Sequence, residues 1–166
     1  MLPALADIAL KEVGTREEGG NNCGPKVREY QGATWLKPGP WPWCAAFVCW
    51  CVRQWVKQVG PKDPIFGRWA ADAWRPQTAG AFDLENWAKD RKLPVLGPKS
   101  EAHPGDIVVF DMSHCGIVVG DHAANSLFID TVEGNTGSQS QRDGDGVWRK
   151  KRSRVMVRSI IRIQQV

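Results

Sequence analysis

Apolar residues early in the chain recur at helical spacing; after Pro104 they close up into short β-rich runs. Leu5, Ile8, Ala9 and Val13 predict a short amphipathic helix within residues 3–13, stopped near Gly14. Gly19 to Gly24 reads as a loop, and Pro25 suits the first turn of a second short helix through Tyr30. A turn-rich connection from Gly32 to Pro42 leads to the best-supported element, a helix from Cys44 to about Val59. Its stripe is Val48, Cys51, Val52, Trp55, Val56 and Val59, and Gly60-Pro61 ends it. In the mixed stretch from Ile65 to Arg91, residues 83–92 form the clearest helical piece. Beyond Pro104-Gly105 come Ile107 to Phe110, Gly116 to Val119, Leu127 to Ile129, Val147-Trp148 and Val155 to Ile163, separated by turns. Helices first and strands later predict an α+β fold, with N-terminal helices packed on a C-terminal antiparallel β-sheet.

At 166 residues the chain is expected to form one domain, residues 1–166, with a full core. Nine tryptophans against one tyrosine are unusual. Most read as packing residues. Trp35, Trp41 and Trp43, crowded before Cys44, have a second reading as the lining of a substrate cleft. The net charge is +4, and much of the positive charge comes late, at Arg149, Lys150, Lys151, Arg152, Arg154, Arg158 and Arg162. No DNA- or RNA-binding signature accompanies it, so a solvated strand face outweighs nucleic-acid binding, with attraction to an anionic bacterial envelope between the two.

The first residues lack a basic segment and a long apolar run, so no signal peptide is predicted; no stretch is long and apolar enough to cross a bilayer. The expectation is synthesis in the cytoplasm, with any action outside depending on a holin or a secretion machine. Five cysteines form no CxxC pair and no zinc spacing. Cys49 and Cys51 read as small buried hydrophobes, and reduced thiols without a structural disulfide are expected.

Cys44 carries the candidate chemistry. It follows a Pro/Trp-rich turn and opens a helix, where backbone N–H groups and the helix dipole favour a thiolate. A hairpin over residues 114–120 and 127–133 with its tip near Ala123-Ala124 would set His114 opposite Glu133 on one face. The carboxylate could then fix the imidazole tautomer and leave the other ring nitrogen to the thiol. A slip by one residue would part them. Small Gly116 would let the Cys44 helix approach, and Asn135 could instead orient the histidine or bind an oxyanion. His103, in a turn, and His122, at the hairpin tip, read as structural.

Trp43-Cys44-Ala45-Ala46-Phe47-Val48 with Trp50-Cys51, Pro104-Gly105-Asp106-Ile107-Val108-Val109-Phe110, His114-Cys115-Gly116-Ile117-Val118 and Val132-Glu133-Gly134-Asn135-Thr136 occur in that order. Together they resemble the CHAP family of cysteine, histidine-dependent amidohydrolases/peptidases, within the NlpC/P60-like peptidoglycan hydrolases. Glu12 to Glu17 and Asn22 to Val27 also resemble the helical start of some members. The resemblance implies a papain-like α+β fold and an enzyme cleaving an amide of bacterial peptidoglycan. It assigns Cys44 as nucleophile, His114 as general base and acid, Glu133 as orienting group and Asn135 as a further polar member. The chain departs from the family pattern at Cys49, where serine or threonine is common, and at Cys115. Some members bind calcium through an Asp-rich loop; the Gly/Asn-rich segment here implies no required metal, and no cofactor is expected.

A monomeric phage lysis enzyme is the first context, ahead of a virion-borne hydrolase or an injected toxin. Two other classes compete. A wall-binding module without catalysis would keep the tryptophans but need no reactive thiol. An intracellular thiol amidohydrolase or transferase would keep the thiol but leave sacculi intact.

Overall fold

The apolar stripe after the Pro/Trp turn does become a long helix, and the rest of the molecule is arranged around it. The computed structural model describes residues 4–137 and 144–163. Pro3, where the first helix was predicted to begin, lies outside the described residues. Two short helices, α1 (Leu5–Lys11) and α2 (Pro25–Gln31), precede α3 (Cys44–Val59); α4 (Ala71–Trp74) and α5 (Asp83–Asp90) follow it. The strands are β1 (Val95–Leu96), β2 (Ile107–Phe110), β3 (His114–Val118), β4 (Phe128–Thr136), β5 (Gly146–Ser153) and β6 (Val157–Ile161). They form a six-stranded antiparallel sheet in the order β1-β6-β2-β3-β4-β5. The fold is α+β, as the period change along the chain predicts, and papain-like, as the resemblance implies.

The single stripe expected on α3 is only half of its pattern. Every residue from Cys44 to Val52 is buried, and the one-sided pattern begins after that. The reason is position: the first two turns run between α1 and α2 on one side and β3 and β4 on the other, so no face meets solvent. Ala45 and Ala46 keep that passage narrow. Gly134 in β4 does the same from the sheet side, since a Cβ there would stand 2.5 Å from Phe47 Cβ and 2.9 Å from the Trp43 ring.

Tyr30 anchors the helical layer. Its ring stacks on Trp43 at 5.6 Å between centroids and meets Phe47 and Trp50 edge-on at 5.2 Å each. Its hydroxyl donates to Glu12, which is also paired with Lys26 at 2.9 Å. Trp43 and Trp50 donate their indole N–H groups to Glu17 and Glu29. Trp43, Trp50, Trp55, Trp74 and Trp87 are core residues; Trp87 donates its indole N–H to the Trp74 carbonyl, whereas that of Trp55 is buried without a partner among the described residues. A second aromatic group, Phe66, Trp74, Trp87 and Trp55, closes the far side.

The sheet side uses charge instead. Arg154 donates to the carbonyls of Pro98, Ser100 and Ala123, Arg158 pairs with Glu85, and Arg162 pairs with Asp106. The expectation of a solvated face of alternating arginines is corrected at Arg154 and Arg162, while Arg158 stays exposed between buried Val157 and Ser159. Long guanidinium side chains tie the connections between strands to the sheet, where a carbonyl or carboxylate would otherwise lack a donor. Arg149 and Lys151 stay exposed.

Candidate active site

The hairpin joining β3 to β4 differs in register from the one expected, yet keeps the predicted face. Ile117 pairs with Val132 and Val118 with Thr131, not with Asp130 and Ile129 as a tip at Ala123-Ala124 requires. A two-residue shift preserves side-chain parity, so His114 and Glu133 still share a face as diagonal neighbours. The glutamate reaches across: His114 Nε2 lies 3.2 Å from Glu133 Oε2. Gly116 makes room for it, since a Cβ there would stand 2.6 Å from Glu133 Cγ. Gly116 therefore admits the glutamate, and the close approach of the helix is at Gly134.

Glu133 is fully buried and every lone-pair direction is used. Oε1 accepts from the Thr131 hydroxyl at 3.1 Å and Arg152 Nε at 2.9 Å; Oε2 accepts from Arg152 Nη2 at 2.6 Å besides His114. Burial alone would raise its pKa, but His114 and Arg152 outweigh burial and hold the carboxyl below its usual range. An ionised Glu133 accepts only, so His114 Nε2 donates to it and Nδ1 is the nitrogen left for a thiol.

Cys44 is the first residue of α3, with Trp43 as its N-cap and no side chain capping the end. The N–H groups of its first turn are thus unclaimed by a cap. The thiol is held well below its ordinary range. A hydrogen bond from the Cys115 thiol is the largest influence, burial opposes it, and the hydrogen bond and charge of His114 and the Ala45 N–H add to it. Burial likewise works against protonation of His114, but Cys44 and Glu133 on either side overcome it and push the imidazole up to about 9. The two directions agree: this site favours a thiolate beside an imidazolium. Burial pushes the other interior thiols the opposite way, Cys49 to about 12 and Cys51 upward. Among the described residues all five cysteines are free thiols.

Cys44 and His114 both open into a cavity of about 580 Å³. Leu36, Trp41, Pro42, Ala79 to Ala81, Met112, Ser113, Met156, Asn135 and Arg152 line it as well. Buried Gln31 fixes the segment before Pro42 by donating to the carbonyls of Gly39 and Trp41. Asn135 reaches the cavity because β4 is irregular between Glu133 and Thr136. Its positive φ of 54° is one that asparagine tolerates, and the irregularity sends Gly134 to the helix and Asn135 to the opening.

Of the three tryptophans read as cleft residues, only Trp41 lines the cavity. Trp43 is corrected to a core residue: as the N-cap of α3 its indole turns inward onto Tyr30, away from the opening. Trp35 is 73 % exposed and outside the cavity lining, its backbone N–H tied to the Gln77 carbonyl. Sequence reading missed Arg152 and the bond between Cys115 and Cys44. Arg152 stands opposite Ile129 in the β4–β5 register and reaches back along the sheet, a path no spacing reveals. For Cys115 a signal existed: it follows the histidine directly. His103 pairs with Asp121, and His122 lies beside Asp130, both away from the cavity. Among the described residues no cluster of candidate metal ligands occurs, and no helix is long and apolar enough to cross a membrane.

Residues 36–135 match the family model of the CHAP domain, beginning in the cavity wall at Leu36 and ending at Asn135. No curated protein and no solved structure matches the chain. The family match covers more than half of the chain, which belongs to the CHAP family of amidase and peptidase hydrolases.

Proposed function

We propose that this CHAP-family chain hydrolyses an amide of bacterial peptidoglycan through a thioester on Cys44, as an N-acetylmuramoyl-L-alanine amidase or a stem or cross-bridge endopeptidase. One observation carries the reading: Cys44 at a helix N-terminus, facing a histidine whose far nitrogen is held by a buried carboxylate. The Cys44 sulfur attacks the amide carbonyl carbon, and the oxygen takes up negative charge near the N–H groups that open α3. His114 gives its proton to the departing nitrogen, the C–N bond breaks, and the amine leaves. Neutral His114 then takes a proton from water, whose oxygen attacks the thioester; the acid is released and the sulfur returns as thiolate. Glu133 keeps the ring oriented throughout, and Asn135 is a polar contact for substrate or oxyanion.

The cavity is lined largely by apolar side chains with a few polar groups, which suits a peptide strand better than a highly charged ligand. A phage lysis enzyme, released to the wall by a holin, is the context we favour. A monomer of one catalytic domain is sufficient for the chemistry, since every group named comes from one chain. The test is turbidity loss of purified sacculi with mass spectrometry of the released muropeptides. Cys44→Ala should abolish release while leaving the thermal midpoint near that of the parent; wild-type release by this variant would end the proposal.

A further inference from the structure

Arg152 lines the same cavity as Cys44 and His114, and its guanidinium grips the buried carboxylate of Glu133 by a fork. Nε lies 2.9 Å from Oε1 and 3.1 Å from Oε2, and Nη2 lies 2.6 Å from Oε2 and 3.3 Å from Thr136 Oγ1. Beneath both cations lies Phe110, whose ring stacks with His114 at 6.1 Å and lies 5.7 Å from the Arg152 guanidinium carbon. From this geometry we infer that Arg152 is a positioning residue of the hydrolysis, holding Glu133 fixed and charged so that Glu133 can steer His114. The inference rests on the reading of Cys44 and His114 as the reacting pair.

The physical argument starts from the cost of the carboxylate. A lone charge in that interior would be strongly disfavoured and would take up a proton. A neutral Glu133 could not demand a proton from Nε2, and the imidazole would be free to present the wrong tautomer to the thiol. His114 cannot supply the missing charge itself, because it must lose and regain its proton in every turnover. A permanent cation is required, and Arg152 is one. Its short bond to Oε2 also shares the oxygen that His114 uses, so the carboxylate orients the ring without claiming its proton outright.

The groups facing Glu133 can be named from each element around it. They are His114 and Cys115 of β3, Arg152 and Lys150 of β5, and the Thr131 hydroxyl of β4, with Cys44 of α3 beyond His114. Lys150 directs its Nζ to the Gly137 carbonyl at 2.9 Å, and among the described residues the permanent cation bonded to the carboxylate is Arg152.

The test uses the full chain and two readouts. Alkylation of Cys44 by iodoacetamide, followed at its own peptide by mass spectrometry across pH, reads the thiol–imidazole pair without any wall substrate. Sacculus hydrolysis reads turnover. Removing the cation in Arg152→Gln should neutralise Glu133, so the two limbs of the alkylation profile should draw together by about one unit: the alkaline limb falls because the imidazolium loses its anion, and the thiolate onset rises because the imidazolium beside it is weakened. Arg152→Lys keeps the charge but loses the fork; its profile should stay in place while kcat falls about tenfold with KM unchanged. Wild-type limbs in Arg152→Gln would overturn the inference. Should that variant fail to fold, wild-type kcat in Arg152→Lys would do the same. An inert Cys44 in the parent protein would instead undo the underlying reading, so the two failures are distinct.

Discussion

The two sides of the cleft are held in place by different forces. Cys44 stands on a helix fixed by close apolar packing: Tyr30, Trp43 and Phe47 on one side, Gly134 against its first turn on the other. His114 stands on a strand whose partners are charges, through Glu133 and Arg152. Packing of this kind is insensitive to pH and salt, whereas an ion-pair chain responds to pH. The molecule thus holds Cys44 by packing and His114 by charge.

The largest effect expected on this comparison comes from the charged side. His114→Gln should lower kcat by about 10²–10⁴ with sacculi as substrate, since it removes both proton transfers. In the parent, activity should fall on the alkaline side as pH passes about 9, where His114 loses its proton. The sign for stability follows the same direction. A folded-state value raised above the free imidazole's means that protonation stabilises the fold fully below the ordinary histidine range, and this is lost as pH rises through about 9. Glu133, held low, contributes in the opposite sense: its share is present above the ordinary carboxylate range and fades as acid protonates it. Because Cys44, held low, offsets the His114 share between neutral and alkaline pH, the check is the alkaline limb of activity near pH 9. A flat profile there would break the division drawn between the two sides.

Two glycine substitutions sharpen it. Gly134→Ala presses a methyl group into Phe47 and Trp43 and should cost about 1–3 kcal/mol of stability, displacing the nucleophile's helix. Gly116→Ala presses into Glu133 Cγ and the Val132 carbonyl and should cost a similar amount. Their activity profiles should differ. The first should lower kcat at every pH alike, and the second should move the alkaline limb as well, because it disturbs the carboxylate that supports His114. Identical pH profiles in the two variants would show that the sides are not separately held.

Smallest of the three is Cys115→Val, which keeps the packing and deletes a thiol that donates to Cys44. The onset of Cys44 alkylation should move to higher pH, with the fold unaffected. An unchanged onset would assign the low range of Cys44 to His114 and the helix alone.

Much of this was legible along the chain. The helix that opens at Cys44 and closes before Gly60-Pro61 carries its own boundaries, because a proline-rich turn and a glycine are local stop signals. The strands at Ile107–Phe110 and around His114 announce themselves by composition. Strand β1 did not, being two residues long and defined only by its pairing with β6. Trp35 and Trp43 show the opposite failure: nearness in sequence to Cys44 said nothing about which way an indole turns.

What the sequence determined by itself was whatever depends on neighbours a few residues apart: the period of each element, the turns between them, the thiol at a helix start and the order of the four motifs. Tertiary structure alone decided the hairpin register, the burial of Glu133, the reach of Arg152 from a position opposite Ile129, and the contact between Cys115 and Cys44. The physical reason is that side-chain parity survives a two-residue slip while pair identity does not. A carboxylate's charge state likewise depends on which distant cation the packing delivers to it.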